Sequence, residues 1–326
     1  MLIDTHQRIH NYLRISLTDA CNFRCFYCMP EEEVEVTPQS KLMSADEILA
    51  IAKTFVSLGV NKIRLTGGEP LVRKDFADIV LSLAKLPVKL TLTTNGVLLN
   101  RYTDLLQEAG IHSVNVSLDT LNPYKFLALT KRDQFAQVKQ NIDTLINKGF
   151  SVKVNVVTLK GINTQEINDF VEWTREAPVH VRFIEFMPFD RNQWNAEKVF
   201  TYHQILEVIR EQYDCIKLPD AQHDTTKKYM VTGHVGTFAV ISTMTAPFCS
   251  SCNRLRLTAD GKMKNCLFSK TESDLLSAYR RGEDLEPLIR ENLALKEKGL
   301  GGQLLPDFTQ IDTTELANRS MISIGG

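Results

Sequence analysis

Six of the seven cysteines in this 326-residue chain fall into two tight triplets. Cys21, Cys25 and Cys28 are spaced C-x3-C-x2-C, and Cys249, Cys252 and Cys266 are spaced C-x2-C-x13-C. An odd cysteine count fits a secreted disulfide framework poorly, and tight triplets in a reducing compartment point to metal or cluster ligation. Three thiolates on one short loop can hold three irons of a 4Fe–4S cluster and leave the fourth open to a substrate or cofactor. Zinc wants four ligands, and no fourth Cys or His lies near the first triplet. For the second triplet alone a zinc site stays open, with His234 as a possible fourth ligand. Cys215 stands apart, follows a helical stretch and reads as a buried thiol rather than a nucleophile.

Cations are the second chemical signal. Lys+Arg number 38 against 39 Asp+Glu, a net charge of −1, so no global basic field recruits nucleic acid and an anionic ligand needs a local cluster. Arg254 and Arg256 are two apart, which on a strand puts both on one face and Leu255 and Leu257 on the other. Lys153 shares a face with Asn155, Arg14 with Ser16 and Thr18, and Arg64 precedes the Gly67-Gly68 turn. Guanidinium groups suit bidentate contact with phosphate, and an interior lysine is costly without an anion. The seven His show no two-ligand spacing. Asp119 and Glu185 could serve as acids or bases.

These residues need elements to carry them. Six strands are predicted, Leu13–Thr18, Lys62–Thr66, Lys89–Thr93, Ser113–Leu118, Val152–Thr158 and Val179–Phe186, with helices between them. Ser44 and Glu47 form a capping box ahead of one helix. Others are predicted over Asp75–Leu83, Asn100–Ala109, Gln134–Lys148 and Gln165–Arg175. That is an incomplete (β/α)6 TIM-type barrel, two units short of closure. Beyond Met187 the pattern breaks down. Asp190–Ala196 and Pro219–Lys228 read as polar linkers, Val231–Thr243 as strands or a hairpin, and Leu255–Thr258 with Lys262–Cys266 as a second hairpin. Helices follow over Ser273–Arg281 and Glu286–Lys298. The polar residues Gly67-Gly68-Glu69, Thr93-Thr94-Asn95, Ser117 to Asp119, Lys153 with Asn155, and Met187 fall late on strands or just beyond, where parallel α/β folds gather ligands.

The first triplet with Tyr27 before its last Cys, after a first strand and ahead of Gly67-Gly68-Glu69-Pro70, resembles the radical S-adenosylmethionine superfamily. The resemblance implies that the open iron binds S-adenosylmethionine, and that a 5′-deoxyadenosyl radical then abstracts hydrogen from a substrate. It assigns Cys21, Cys25, Cys28 and Arg14 to catalysis, and Tyr27, Gly68, Ser117 and Met187 to S-adenosylmethionine. The second triplet, with YLRISLTDACNFRCFYCMP, KIRLTGGEPLVR, LTTNG, NVSLDTL, VKVNVV, RFIEFM and terminal Gly325-Gly326, resembles the GTP 3′,8-cyclase family over essentially the whole chain.

That resemblance implies two 4Fe–4S clusters, the second on Cys249, Cys252 and Cys266 with its open iron toward guanine. It carries over Arg14, Arg64, Thr93, Lys153, Arg254, Leu255 and Arg256 as GTP contacts. It implies two domains, a radical core over 5–225 and a smaller C-terminal α+β domain over 226–326 carrying the second cluster, with the glycine tail threaded into the site. Its implied partners are GTP, a reduced flavodoxin- or ferredoxin-type donor, a downstream cyclic pyranopterin monophosphate synthase and a second copy of the chain; nucleic acid and membrane are not among them. Gly233 to Asn253 is charge-poor but too polar to span a bilayer, and the N-terminus lacks an apolar signal region, so a cytoplasmic location is expected. The competing readings are another radical enzyme with an auxiliary cluster and a non-catalytic iron–sulfur electron carrier.

Overall fold

The computed structural model describes residues 1–29, 36–190, 192–305 and 307–325. Among them, twelve strands form one sheet. They are β1 (Tyr12–Ser16), β2 (Lys62–Thr66), β3 (Lys89–Thr94), β4 (Ser113–Ser117), β5 (Ser151–Thr158), β6 (His180–Glu185), β7 (Cys215–Lys217), β8 (Lys227–Val231), β9 (Thr237–Ile241), β10 (Arg254–Leu257), β11 (Lys262–Lys264) and β12 (Ser273–Asp274). Their order across the sheet is β12-β11-β10-β1-β2-β3-β4-β5-β6-β9-β8-β7.

The six predicted strands are present, each within one or two residues of its expected ends. The sheet nevertheless holds eight parallel strands, because β10 joins β1 and β9 joins β6, both in parallel. The sequence pattern stops at six because these two do not arrive by helical crossovers. Each belongs to a hairpin, β8–β9 and β10–β11, whose partner strand runs antiparallel. Chain beyond residue 226 thus extends both edges of the one sheet.

Helices cover one face. Ser44 caps Ala45–Ser57 with Glu47 in a reciprocal capping box, and Ile48, Ile51 and Phe55 of that helix are fully buried. Phe76–Leu83 and Phe135–Asn147 add Ile79, Leu83, Val138, Ile142 and Leu145 to the same core. The strands meet them with Leu13, Ile15, Ile63, Leu65, Val114, Val116, Val152, Val154 and Val181. Burying each such side chain stabilises the fold by about 1.5–3 kcal/mol. The predicted Asn100–Ala109 helix is broken at Tyr102 into a short 3-10 turn and Thr103–Glu108. A further helix, Pro123–Thr130, lies where the sequence suggests no element, and Tyr202–Arg210 is the helical stretch expected ahead of Cys215. The Asn122 carboxamide caps the first, and a Thr201–Gln204 capping box opens the second.

Alternate residues of the central strands face inward, and most of them are polar. In register across three strands stand Arg14, Arg64 and Arg256, and next to them Tyr12, Lys62 and Arg254. Further round come Asn115 beside Lys153 and Asn155 beside Arg182. An apolar outer face fixes the register, since a one-residue slip would bury every one of these charges among the helices. Among the described residues no helix is long and apolar enough to cross a membrane.

Candidate active site

The inward faces and the loops at both ends enclose a cavity of about 810 Å³, lined by all six triplet cysteines. Strand polarity separates the triplets. Cys21 to Cys28 follow β1 and sit at the C-terminal end of the parallel strands. Cys249 and Cys252 precede β10, and Cys266 follows its antiparallel neighbour β11, so the second triplet sits at the N-terminal end. All seven cysteines are free thiols.

The first loop is held by the Gly-Gly-Glu turn. Gly68 N–H donates to the Thr18 carbonyl (2.6 Å) and Glu69 N–H to that of Ala20 (2.8 Å). A Cβ on Gly67 would stand 2.6 Å from the Thr18 carbonyl oxygen, and one on Gly68 2.4 Å from that of Asp19, so only glycine fits. Glu69, 1% exposed, accepts from Leu71 N (3.0 Å), Asn95 N (2.6 Å) and the Thr94 hydroxyl (2.8 Å). Burial pushes its carboxyl up to about 7 against those hydrogen bonds. Asn95 then donates to the Asn22 carboxamide (2.6 Å) and reaches the Cys21 sulfur at 3.9 Å, while Phe23 N–H lies 3.4 Å from that sulfur. Tyr27 Oη donates to Asp119, whose other oxygen accepts from Val157 N (2.8 Å). Burial raises Asp119 to about 6. Asp119 is a structural tie. So is Glu185, which is 0% exposed and accepts from Tyr202 N (2.8 Å), Met244 N (2.7 Å) and Thr245 N (3.0 Å).

Tyr27, Gly68, Ser117 and Met187 line the same cavity, as do Arg14, Arg64, Thr93, Lys153, Arg254 and Arg256. Leu255 does not. Its side chain is fully buried in the apolar core, because it takes the opposite pleat from Arg254 and Arg256. Lys153 is also placed differently from expectation. As the third of eight residues in β5, it lies in the first half of the strand, toward the second triplet. His234 is away from the cavity, bonded to the Thr174 hydroxyl (2.9 Å). Cys215 is half-buried at the start of an edge strand.

Several lining residues were missed. Lys62 and Arg182 complete the cation ring, and each sits two residues from an inward-facing neighbour on its own strand, which was the available signal. Tyr12 lies at the floor, with Arg64 Nε donating to its oxygen (2.6 Å) and Lys62 Nζ 4.4 Å from its ring centre. The segment Gln222–Thr226, which read as a linker, forms a wall, and His223 Nδ1 pairs with the Ser251 carbonyl (2.7 Å) between two cysteines.

The ring is electrostatically unsatisfied. Lys62, Arg64, Lys153, Arg182, Arg254 and Arg256 join no ion pair among the described residues. Arg182 Nε and Nη2 and Arg254 Nη2 are buried donors with no partner. Burial, then its cationic neighbours, brings Lys153 down to about 8 and Arg182 to about 9, and drives Arg256 well below its usual value. Tyr12 is pulled to about 7, because Arg64, Arg14 and Lys62 outweigh its burial. Arg256 Nη1 donates to the Gly325 carbonyl (2.7 Å), which brings the chain end between the triplets. A Cβ on Gly325 would meet Thr66 Oγ1 at 2.5 Å and Ser16 Cβ at 2.9 Å. Gly326 lies outside the described residues.

Residues 15–174 fit the Radical SAM superfamily, and 179–301 fit Molybdenum Cofactor Synthesis C. The chain is 47% identical to the mitochondrial GTP 3′,8-cyclase of Arabidopsis thaliana, over 100% of this chain and 84% of that one. It is 39% identical to GTP 3′,8-cyclase of Peptoclostridium acidaminophilum, over 100% of this chain and 98% of that one.

The chain belongs to the radical SAM superfamily, in the GTP 3′,8-cyclase family.

Molybdenum cofactor biosynthesis protein 1 of Mus musculus is 44% identical over 99% of this chain, which spans about half (51%) of that relative's length. Among solved structures, Streptococcus suis SuiB bound to S-adenosylmethionine shares the fold, with a TM-score of 0.60 at 15% identity over 89% of this chain and 69% of that one.

The thiols fit iron–sulfur groups better than single ions. Among the described residues no three His, Cys, Asp or Glu side chains converge on one ion site. The triplets instead line an open cavity as free thiols, with N–H groups toward sulfur at Cys21 and at Cys249, where Leu300 N lies at 3.3 Å. Such N–H contacts are the outer support that ligating thiolates receive.

Proposed function

We propose that this chain converts GTP to (8S)-3′,8-cyclo-7,8-dihydroguanosine 5′-triphosphate, the opening reaction of molybdenum cofactor biosynthesis. When bound at Cys21, Cys25 and Cys28, a 4Fe–4S cluster with S-adenosylmethionine supplies the 5′-deoxyadenosyl radical that removes the ribose C3′ hydrogen, so that C3′ can bond guanine C8. The observation that carries the reading is the ring of inward cations between two thiol triplets, of which Lys62, Arg64, Lys153, Arg182, Arg254 and Arg256 join no ion pair among the described residues. A triphosphate is the anion that such a ring lacks.

The chain's own residues divide the work. Residues 5–225 present the first triplet, with Tyr27, Gly68, Ser117 and Met187 around S-adenosylmethionine. Residues 226–326 present Cys249, Cys252 and Cys266 for a second 4Fe–4S cluster facing guanine. Arg14, Lys62, Arg64, Lys153, Arg182, Arg254 and Arg256 bind and orient the phosphates. Arg64 is pre-set for this, since its Nη1 donates to the Leu92 carbonyl (2.9 Å) and the Thr93 hydroxyl (3.2 Å). The Phe248 ring, 4.7 Å from the Arg254 guanidinium, fixes that side chain in turn. The tail, anchored by Arg256 Nη1 donating to the Gly325 carbonyl (2.7 Å), lies against the same face. Electrons come from a reduced flavodoxin- or ferredoxin-type protein, and the free thiols suit the cytoplasm.

Anaerobic incubation with GTP, S-adenosylmethionine and reductant, read by mass spectrometry, tests this. The expected products are the cyclised nucleotide, 5′-deoxyadenosine and methionine. Cofactor cleavage with GTP returned unchanged would overturn the substrate assignment.

A further inference from the structure

Two buried cations from opposite ends of the chain grip the backbone that carries the second triplet. Arg8 donates to the carbonyl of Cys249 itself (2.8 Å) and to those of Lys298 (2.8 Å) and Glu297 (2.8 Å). Lys296, 3% exposed, donates to the carbonyl of Asn265, which directly precedes Cys266, and to that of Arg254 (3.4 Å), two residues beyond Cys252. Each of the three ligand positions therefore has a buried cation at its back.

The two cations differ in their counter-charge. Arg8 pairs with Asp4 at 2.6 Å, and that carboxylate also bonds His10 (3.0 Å) and the backbone N–H groups of His6 and Arg8 (2.9 Å each). Lys296 takes part in no ion pair among the described residues. Carbonyl dipoles solvate its ammonium but do not neutralise it, and a buried charge without a counter-charge is costly. A fold that keeps such a charge beside three thiols has its counter-ion arrive with the ligand. Three thiolates outweigh the positive core of a four-iron cluster, so the assembled group is an anion.

We infer that Lys296 is the built-in counter-ion of the group held by Cys249, Cys252 and Cys266 and sets that group's reduction potential. This rests on the two-cluster reading above. A fixed positive charge stabilises the more negative, reduced form and raises the potential. Lys296 touches neither substrate nor sulfur, so it is a positioning residue acting through the field and through the backbone it holds.

The test uses the full chain with Cys21, Cys25 and Cys28 changed to Ala, reconstituted anaerobically, so that the second cluster alone gives the electron paramagnetic resonance signal. Midpoint potentials are compared for this parent, Lys296→Met and Lys296→Arg. Lys296→Met is expected to move the midpoint at least 59 mV more negative, a tenfold change in the reduced-to-oxidised ratio for one electron. Lys296→Arg, which keeps the charge, is expected to stay near the parent. Loss of the cluster in Lys296→Met with retention in Lys296→Arg also supports the inference. An unmoved midpoint in Lys296→Met, or loss of the cluster in both variants, overturns it. A parent that takes up no second cluster instead overturns the two-cluster reading itself.

Discussion

The two cysteine triplets are the same device with different charged neighbours, carboxylates at the first and cations at the second. At the first, burial raises the Cys21 thiol to about 11, and Glu69 adds to the rise. Cys25 and Cys28 are pushed further in the same direction by burial, by one another's loop and by Asp119. At the second, burial raises Cys249 as well, but at Cys252 the cations Arg254, Lys296 and Arg8 outweigh burial and hold the thiol below its usual value. The difference sorts ligands by charge. S-adenosylmethionine brings a sulfonium and an ammonium, which carboxylates tolerate and a ring of arginines would repel. GTP brings a polyanion, with the reverse preference.

Replacing whole triplets breaks the comparison most completely. Reconstituted protein is expected to hold about eight irons per chain, and either triple Cys→Ala variant about four. The variants should fail differently. Without Cys21, Cys25 and Cys28, S-adenosylmethionine cleavage should vanish. Without Cys249, Cys252 and Cys266, slow cleavage should persist while cyclised product is lost. Iron analysis and 5′-deoxyadenosine release measure both, and loss of cleavage in both variants would show that the triplets are not separable.

The next test removes charge and spares the thiols. Arg254→Ala with Arg256→Ala is expected to weaken GTP binding and leave S-adenosylmethionine binding alone. Each lost charge-assisted contact costs about 1.5–3 kcal/mol, or about tenfold to a hundredfold in affinity. The two contacts share one triphosphate and need not add. Calorimetry of GTP binding, with the ratio of 5′-deoxyadenosine to cyclised nucleotide, reads the effect. Wild-type GTP affinity would return both arginines to a structural role.

The two ends of the molecule were not equally legible. At the first triplet, strand, loop and ligand residues are contiguous in sequence, so Cys21 to Cys28, Gly67-Gly68-Glu69 and Thr93-Thr94-Asn95 could be read as one site. Period-2 alternation also separated Arg254 and Arg256 from Leu255, although the family resemblance still carried Leu255 to GTP. The second end is built from distant pieces. Arg8, His223 and Lys296 meet the second triplet only because β10 inserts beside β1, and no local pattern announces a parallel pairing between residues 12 and 254. Pro219–Lys228 has the composition of a linker and the position of a wall. Its polarity, which argued for a surface loop, also suits a lining for a polar cavity.

The tail tests whether the two ends share one chamber. Gly325 has φ near +80° and no room for a Cβ, so Gly325→Ala should displace the chain end from Arg256. Such backbone strain costs about 1–3 kcal/mol. Turnover is expected to fall about tenfold, with iron content and S-adenosylmethionine binding unchanged. Unaltered turnover would leave the tail outside the chemistry.

The smallest expected effect is a pH dependence confined to the GTP side. In the free protein Lys153 lies at about 8 and Tyr12 at about 7. For Lys153 the causes are burial and neighbouring cations; for Tyr12, Arg64, Arg14 and Lys62 outweigh burial. A triphosphate in the ring reverses the sign of the local field and favours the protonated form of both groups. Binding should therefore take up protons, and GTP affinity should fall as pH rises through the free-state values. For Lys153 alone the loss is about twofold at pH 8 and about tenfold at pH 9, provided the bound lysine stays charged. S-adenosylmethionine, held at the other end, should show no matching trend over that range. Calorimetry in buffers of different ionisation enthalpy measures the uptake directly. Lys153→Met should remove the part above pH 8, and Tyr12→Phe the part nearer neutrality. An unchanged pH slope in the double variant would mean that these two groups do not face the phosphates, and that the cation ring meets GTP through its arginines alone.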